Sequence, residues 1–396
     1  MSGTPRVAVL SGGMSLERDV SLRSGTRITT ALAEQGLEVD RIDVDAGLVP
    51  TLERGRYDVA VLALHGAAGE DGTIQSVLEL LHLPFSGSDV LASSLAWNKP
   101  IAQGLYARAG IAVPERITLS QQAFRELGAS AVVDRIAPLL GTPLVVKPVT
   151  GGSSLGLSVV TSAAELPGAI VGALSYADAV LVERFVAGTE VAVTVLGDRP
   201  LPAVEISPKD GRYDFSARYT AGATEFHAPA RLDADVVAAC ERTAIDAGAA
   251  IGARDLWRAD MIVDDAGTPW LLEIDTCPGM TETSLAPLAA EAAGMAFPDL
   301  CRTLVGLALL LIVAVISLAG RRWYPVLDLA MTELFGRFPK KFYDGYQTVT
   351  RIDEGYHQRR NIYQLYHVLN HALLFGSNYI HQSQALIEEI IDDNTE

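Results

Sequence analysis

Two neighbouring apolar segments carry four charged side chains that could together bind a metal ion. Arg258 and Asp260 lie in the first segment, and Glu273 and Asp275 end the second. If residues 266 and 267 form a two-residue hairpin loop, Arg258 lies opposite Asp275 and Asp260 opposite Glu273, and the alternation of a strand places all four on one sheet face. Three carboxylates on one face repel each other unless a cation holds them, and such oxygen ligands suit Mg²⁺. The alternative is a solvated face on which Arg258 pairs locally.

A glycine- and serine-rich stretch at residues 147–156 could bind phosphate. It follows a predicted strand at 144–147 and contains Lys147, Ser153 and Ser154. Glycines allow backbone N–H groups to turn inward around an anion, while the hydroxyls add donors and the lysine adds a positive charge. The stretch lacks the Gly-Lys-Ser/Thr triplet of a Walker A loop. It therefore indicates either a phosphate site of another class or a plain connecting loop.

The elements that would position these groups begin with a strand–helix alternation in the first 95 residues. Apolar runs at 7–10, 37–44 and 59–64 predict strands, and helical patterns occupy 21–35 and 73–81. Such alternation predicts a parallel sheet with helices on its faces. Glycine-bearing loops follow the first and third strands, at the edge of the sheet where ligands bind in folds of this kind.

Charge and cysteine content exclude several classes of protein. The net charge of −17 argues against a general nucleic-acid binder, which needs a basic surface. The three cysteines, Cys240, Cys277 and Cys301, have neither disulfide-framework nor zinc-site spacing, and they fit a reducing compartment. Residues 1–9 contain no apolar stretch of signal-peptide length, so we expect the protein to be cytoplasmic.

Residues 1–302 resemble D-alanine–D-alanine ligases of the ATP-grasp class. The resemblance is carried in order by residues 12–21, 65–75, 147–156, 183–190, 218–220 and 278–285. It implies an α/β fold in which a parallel-sheet domain precedes the ATP-grasp domain, with an apolar helix and a small all-α tail after them. The corresponding segments are an N-terminal substrate domain at 1–95, a central ATP-grasp subdomain at 96–186, a catalytic subdomain at 187–302, an apolar helix at 303–322 and a helical tail at 323–396.

The resemblance also implies a role for each residue that matches a family motif. The residues expected to bind ATP are Lys99, Lys147, Ser154, Glu183, Phe185, Val186, Glu190 and Arg218. The residues expected at the reacting groups are Glu17, Ser153, Tyr219, Arg258 and Gly279, and those expected to bind the amino acids are His65, Ser284 and Leu285. Asp260, Glu273 and Asp275 would bind two Mg²⁺ ions, with Mn²⁺ as an alternative. A segment at 213–224 would form a closing lid.

In a ligase of this family, ATP converts the carboxylate of one D-alanine to an acyl phosphate, which the amine of a second D-alanine attacks to form a precursor of peptidoglycan. The resemblance further implies a homodimer. Two residues depart from the family pattern: Asp275 stands where Asn is usual, and Arg218 stands where several relatives have Lys. A second substrate other than D-alanine, either D-lactate or D-serine, remains an alternative, although Tyr219 favours an amine.

The last quarter of the chain has a different character. Residues 303–320 carry no charge, and Arg321 and Arg322 follow them. As a helix the apolar run would extend about 27 Å, at the short end for crossing a bilayer. The positive-inside rule would then place the ligase-like part outside the cell, where ATP is scarce, so membrane contact through 303–320 stays open.

From about residue 328 the chain resembles the end of fructosamine kinases. Residues 328–336 and 363–371 carry the resemblance, without the catalytic aspartate and asparagine of that kinase-like fold. His367 and His371 are predicted to line a core. The abrupt change indicates a fusion, and a C-terminal part that only binds a partner is an alternative to an enzymatic role.

Overall fold

The computed structural model describes residues 5–209 and 223–319, with side chains as far as Leu309, and four single positions between residues 360 and 387. The chain divides into two compact units, Met1–Leu309 and Leu310–Glu396. Arg218, Tyr219 and all but the last two residues of the expected lid lie outside the described residues, as does nearly all of the tail at 323–396.

The first sheet is parallel, which confirms the prediction from strand–helix alternation. Its strands have the order β2–β1–β3, with β1 at Arg6–Ser11, β2 at Glu38–Asp43 and β3 at Val59–Leu62. Its helices are α1 (Arg18–Glu34), α2 (Leu48–Gly55) and α3 (Thr73–Leu80). Residues 7–10 of the central strand are completely buried, because elements cover both faces of the sheet. The loops after β1 and β3 therefore leave the same edge side by side.

The second sheet is antiparallel and has the strand order β4–β7–β5–β6. Its strands are β4 (Arg116–Ser120), β5 (Leu144–Pro148), β6 (Ser158–Val160) and β7 (Ala179–Arg184). The helices of this region are α4 (Val90–Trp97), α5 (Lys99–Arg108), α6 (Gln121–Leu127), α7 (Ala129–Leu140) and α8 (Leu166–Leu174), with a 3-10 turn at Ala163–Glu165. The glycine-rich stretch joins β5 to β6, so it is the loop of a hairpin.

The third sheet is also antiparallel, with the order β11–β10–β8–β12–β13 and a short strand β9 paired with β8. The strands are β8 (Thr189–Leu196), β9 (Arg199–Pro200), β10 (Val204–Pro208), β11 (Thr224–His227), β12 (Leu256–Val263) and β13 (Pro269–Asp275). Helix α9 (Ala234–Ile251) packs on this sheet through buried small residues and Ile251.

The β12–β13 hairpin has the predicted register, but its turn and strand geometry differ from those predicted. Arg258 pairs with Asp275 and Asp260 with Glu273, as predicted, but the turn has three residues rather than two, because the N–H of Asp264 bonds the carbonyl of Thr268. The register shifts by one residue between Asp260 and Met261, where a β-bulge at Leu272 adds a residue to β13. The longer turn and the bulge offset each other.

Helix α10 (Leu285–Ala292) lies in the first unit, and α11 (Phe297–Ala319) begins in it and continues past its last residue, Leu309. The composition change predicts a boundary near residue 303, but α11 continues through that position. Leu304 and Val305 are 3% exposed and Ala308 is completely buried, because apolar residues at helical spacing continue the core beyond 303. The compact unit accordingly runs to Leu309.

Within the part of the chain searched for membrane spans, which is limited to described residues, no single helix has the length and apolar character to cross a bilayer. One pair of helices reaches that length and apolar character when its two members are counted together, but a bend of 105° separates them; the pair is Leu285–Ala292 and Phe297–Leu309. The three cysteines are buried and free.

Candidate active site

Segments from all three sheets line one cleft. The predicted residues that line it are Glu17, His65, Lys99, Ser153, Arg258, Glu273, Asp275, Gly279, Ser284 and Leu285. Most of them lie at the ends of elements or in the loops between them. Glu17 is the residue before α1, Lys99 begins α5, and Ser284 precedes α10. The fold thus brings together positions that are up to 268 residues apart, from 17 to 285.

The carboxylate face of the β12–β13 hairpin is buried at Asp260 and half-buried at Glu273 and Asp275, and two cationic side chains partly neutralise it. Arg258 donates to both carboxylate oxygens of Asp260, at 2.7 and 2.9 Å, and its third nitrogen lies 3.1 Å from Asp275. Glu273 pairs with Lys99 at 2.9 Å. Burial raises the pKa of the Asp275 carboxyl, and the charge of Arg258 opposes that rise. Arg258 does pair locally, but on a buried face and not on the solvated one that was the alternative.

This arrangement bears directly on metal binding. Among the described residues, no three histidine, cysteine or acidic side chains stand together as a ready metal site. The repulsion between the carboxylates is already offset by Arg258 and Lys99, so repulsion alone does not require a metal. The donor set still fits Mg²⁺, because Asp260, Glu273 and Asp275 offer hard oxygen ligands on one face, on which Glu273 and Asp275 line the cleft and Asp260 is buried.

The two lysines predicted to bind phosphate are both held by carboxylates. Lys147 pairs with Glu183 at 2.8 Å, and both side chains are almost fully buried. Lys99 donates to the carbonyl of Gly151 at 2.6 Å as well as to Glu273. Burial would lower the pKa of Lys99, but the charges of Glu273 and other carboxylates outweigh burial and raise it. Both lysines therefore stand in ion pairs beside the glycine-rich loop.

The glycine-rich loop reaches across the cleft to the N-terminal domain. The hydroxyl of Ser153 donates to the carboxylate of Glu17. Ser153 and Ser154 have φ angles of 50° and 57°, in the left-handed region that non-glycine residues rarely adopt. Such backbone conformations are retained where the surroundings enforce them, often at functional sites. A β-carbon at Gly152 would lie 3.1 Å from Glu17, so the loop backbone approaches that carboxylate closely.

The loop between β13 and α10 closes the other side of the cleft. The Oγ of Ser284 accepts from the N–H of Thr281 at 3.0 Å and lies 2.8 Å from the Thr281 hydroxyl. Gly279 lies against it, since a β-carbon there would be 2.7 Å from the same Oγ. Leu285 begins α10, where the N–H groups of the first turn lack a carbonyl partner within the helix and favour an anion, whereas the N–H of Ser284 donates to the carbonyl of Thr281 at 3.2 Å.

Known proteins match the described part of this chain over most of its length. Models of the D-alanine–D-alanine ligase C-terminal and N-terminal domains match residues 105–306 and 48–88. A D-alanine–D-alanine ligase from Anaeromyxobacter dehalogenans is 44% identical over 305 residues, which is 77% of this chain and 97% of the relative. The chain belongs to the D-alanine–D-alanine ligase family. The ligase from Pelotomaculum thermopropionicum is 41% identical over 309 residues and is covered to 97%.

Solved structures of family members have the same fold. The D-alanine–D-alanine ligase from Bacillus anthracis superposes with a TM-score of 0.68 at 30% identity, over 78% of this chain and 98% of that one. A structure of that ligase complexed with ATP gives 0.67 at 29% identity. The VanG D-Ala:D-Ser ligase from Enterococcus faecalis gives 0.67 at 27% identity, over 77% of this chain and all of that one.

The end of the chain matches a different family. A fructosamine kinase model matches residues 325–393, which confirms the second resemblance and the change of character after residue 320. The positions of His367 and His371 lie outside the described residues.

Not every residue expected to bind ATP lines the cleft. Phe185 and Val186 follow β7, Glu190 is on β8, and none of the three is among the described residues lining the cleft. The Glu183 side chain is 2% exposed and turned inward, where it accepts from Lys147 and from Gln103 at 2.5 Å. Its carboxylate thus holds both Lys147 and Gln103, and its backbone pairs with β4 and β5.

Three side chains in this ligase have a place in the site that the motifs did not predict. Glu70 lines the cleft and accepts from the N–H of Gly66 at 2.8 Å, and burial together with the charges of Asp275 and Glu17 raises its pKa well above the usual value. Gln103 links Glu183 to the carbonyl of the bulge residue Leu272 at 3.0 Å. Ser24 lies 3.1 Å from the Nε2 of His65. Lys99 and Gln103 are four residues apart on α5, and this spacing is the only sequence signal that could have indicated Gln103.

His65 lies at the floor of the cleft and is neutral. The ring is 5% exposed, and burial lowers its pKa to about 4, although a hydrogen bond with the backbone of Cys277 opposes that shift. A neutral ring has one donor and one acceptor nitrogen. With Cys277 and Ser24 as its partners, His65 can support the cleft wall but carries no charge to attract a carboxylate.

Proposed function

We propose that this chain ligates two D-alanines to D-alanyl-D-alanine with conversion of ATP to ADP and phosphate, as a step toward peptidoglycan precursors. The contact between Ser153 and Glu17 carries the proposal. It brings a carboxylate that can bind an ammonium group against the glycine-rich loop that suits a phosphate. An amino acid bound by its ammonium group at Glu17 would therefore have its carboxylate beside the phosphate loop.

The first step is phosphorylation of the carboxylate of the first D-alanine. Lys99 and Lys147 supply two positive charges next to the loop, and each would exchange a carboxylate partner for a phosphate oxygen when ATP binds. Mg²⁺ held by Asp260, Glu273 and Asp275 would neutralise charge on the transferring phosphoryl group. We propose two such ions, with Mn²⁺ as a substitute, because the ligase family implies two and because Mg²⁺ is usually held by one or two carboxylates together with substrate phosphates.

The second step is attack of the second amine on the acyl phosphate. The start of α10, at Ser284 and Leu285, would bind the carboxylate of this second D-alanine through N–H groups of its first turn. Arg258 and the N–H of Gly279 would stabilise the oxyanion that forms, and one such donor is worth roughly 3–4 kcal/mol. Acyl phosphates react with water, so the cleft has to close; Arg218 and Tyr219 are proposed for the closing lid.

A cytoplasmic location is proposed because the reaction consumes ATP. A homodimer is proposed from the family alone.

One assay tests the proposed substrates. Purified protein is incubated with ATP, Mg²⁺ and either D-alanine, L-alanine, D-lactate or D-serine, and both ADP and the mass of the product are measured. D-Alanine alone should give ADP and D-alanyl-D-alanine in equal amounts. Equal rates with L-alanine would contradict the proposal.

Two further arms sharpen the assay. D-Alanine supplied together with D-serine tests the substrate pair printed for the VanG ligase, and a mixed dipeptide as the main product would assign D-serine as the second substrate. Asp260→Asn keeps the size of the side chain and removes its charge. It should abolish ADP release if the cleft is catalytic, whereas a protein that only binds a partner would keep that partner.

A further inference from the structure

Helix α1 carries polar side chains at every third position on the side that packs against the first sheet and the loop between β13 and α10. Ser21 accepts from the N–H of Gly12 at 2.8 Å and donates to the carbonyl of Ala63 at 2.7 Å. Ser24 and Arg27 come one and two turns later, and both contact the loop between β13 and α10. This spacing places the three residues on one face of the helix.

Ser24 and Arg27 both bind the backbone of Met280. The N–H of Met280 donates to the Oγ of Ser24 at 3.2 Å, in a position that is fully buried. A guanidinium nitrogen of Arg27 donates to the carbonyls of Met280 at 3.1 Å and of Thr281 at 2.8 Å. The two peptide groups that follow Gly279 are therefore held from outside the loop by α1.

The partners of these two residues fix them in turn. Ser24 lies 3.1 Å from the Nε2 of His65, and the lowered pKa of His65 leaves that ring neutral and able to accept the serine hydroxyl. The Arg27 guanidinium stacks 3.7 Å from the ring centre of Phe297, at the start of α11. His65 and Phe297 thus hold Ser24 and Arg27 in one orientation. Of these two supporting residues, His65 lines the cleft and Phe297 does not.

We propose that Ser24 and Arg27 are positioning residues that hold the loop carrying Gly279 and Ser284 at a set distance from Glu17. This inference rests on the proposed function. Glu17 precedes α1 and would hold the first amino acid, while the loop would hold the second amino acid and the oxyanion. One helix therefore sets the separation between the acyl phosphate and the attacking amine. Misplacement of reacting groups by about 1 Å can cost on the order of 100-fold in rate.

The test uses the ratio of dipeptide to ADP. In Arg27→Met the side chain keeps its length and its contact with Phe297 but loses its donors. A loop that no longer holds the second amino acid would leave the acyl phosphate to water, so ADP release should continue while the dipeptide yield per ADP falls. We expect the KM of the second D-alanine to rise about tenfold or more and that of the first to change less than about twofold. Arg27→Lys keeps a donor and should restore part of the coupling.

Ser24→Ala provides a second variant that removes only one oxygen from a buried position, and it should also lower the dipeptide-to-ADP ratio. Arg23→Met is the matched control, because Arg23 is on the same helix and pairs with Glu282 at 3.3 Å through side chains that are both well over half exposed. It should leave the ratio and both KM values unchanged.

The outcomes separate the two proposals. If the unaltered protein forms no dipeptide, the proposed function fails. If the unaltered protein forms dipeptide and ADP in equal amounts, and Arg27→Met and Ser24→Ala keep that ratio and the KM of the second D-alanine, the positioning role is wrong. A thermal melt accompanies each variant, and a lower Tm with an unchanged ratio would also overturn the proposal, because it would show a purely structural role.

Discussion

At the phosphate-loop end of the cleft, buried or partly buried ion pairs hold Lys147 and Lys99, whereas at the amino-acid end hydrogen bonds to backbone and hydroxyl groups hold the loop between β13 and α10. Lys147 and Lys99 pair with Glu183 and Glu273 at 2.8 and 2.9 Å. Ser284 bonds Thr281, and Ser24 bonds Met280, with a neutral histidine behind.

The difference follows from what each end has to bind. When a triphosphate and its cations bind, the lysines and carboxylates already present can exchange their ion-pair partners for the phosphate oxygens and the cations. One ion pair is then replaced by another. A small zwitterion that must be attacked from one direction requires fixed geometry. Hydrogen bonds to backbone and hydroxyl groups provide that geometry at a smaller desolvation cost than buried ion pairs. The predictions below test whether the two ends respond differently.

The largest effect, on the free energy of unfolding, is expected when the chain is shortened to end at Arg302. This removes the part of α11 that packs against the loop at the amino-acid end of the cleft. Leu304 and Val305 pack in the same cluster as Met280 and Leu285. A chain ending at Arg302 loses two buried side chains worth about 1.5–3 kcal/mol each, so its free energy of unfolding should fall by roughly 3–6 kcal/mol. Urea unfolding measures this. A chain ending at Leu309 is the control and should melt cooperatively and release ADP with D-alanine; equal stability of the two chains would contradict the packing argument.

The next effect concerns the phosphate-loop end. Glu273→Gln replaces a carboxylate that pairs with Lys99 and that we propose as a metal ligand, and a neutral amide holds Mg²⁺ poorly. ADP release should fall by roughly 100-fold or more. Mutation of residues that only hydrogen-bond to metal ligands already lowers metal affinity or activity by about 10–100-fold, and Glu273 is a proposed ligand itself. A titration with Mg²⁺ should recover part of the rate. Turnover near that of the unaltered protein at low Mg²⁺ would remove Glu273 from the metal site.

A smaller effect is expected from the titration of His65. Folding lowers the pKa of His65 from 6.5 to about 4, so the unfolded chain takes up a proton first as the pH falls. The contribution of neutral His65 to the free energy of unfolding is fully present above pH 6.5 and is lost as the pH falls toward 4. Between pH 7 and pH 5 the free energy of unfolding should fall by about 2 kcal/mol from this group. Urea midpoints for the unaltered protein and His65→Gln should show a flatter pH dependence in the variant. Parallel curves would mean that other groups cause the decline.

The smallest effect is expected for Asp275→Asn, which restores the residue usual in the family. The amide keeps an oxygen toward the cleft and removes a buried charge that Arg258 has to offset at 3.1 Å. ADP release should stay within about tenfold of the unaltered rate, equivalent to about 1.4 kcal/mol. A loss as large as that of Glu273→Gln would show that the charge at this position is required.

Local patterns predicted the parallel sheet, the phosphate loop and the carboxylate face, because each depends on residues close in sequence. The hairpin shows the limit of that reasoning. The pairing of Arg258 with Asp275 was predicted from a two-residue turn that does not exist, and it is nonetheless correct because the bulge at Leu272 offsets the extra turn residue. No residue type marks that bulge; its carbonyl is bonded by Gln103, which is 169 residues away.

The contacts of Ser24 and Arg27 could not be predicted for a similar reason. Their partners are more than 250 residues away, and on α1 the two side chains look like ordinary polar positions of an amphipathic helix. A boundary near residue 303 was predicted because an uncharged run begins there, whereas the packing of Leu304, Val305 and Ala308 shows that the core continues past it.

The bulge at Leu272 also makes the tip of the hairpin a place for engineering. Strand β12 also pairs with β8, with Arg258 opposite Thr194 and Asp260 opposite Ala192, so β8 helps to fix Arg258 and Asp260 independently of the turn at 265–267. A change in the length of that turn can be absorbed before it reaches Glu273. A short epitope or a fluorescent reporter inserted there should leave turnover intact, and the three-residue turn is therefore a suitable attachment point for single-molecule studies of cleft closure.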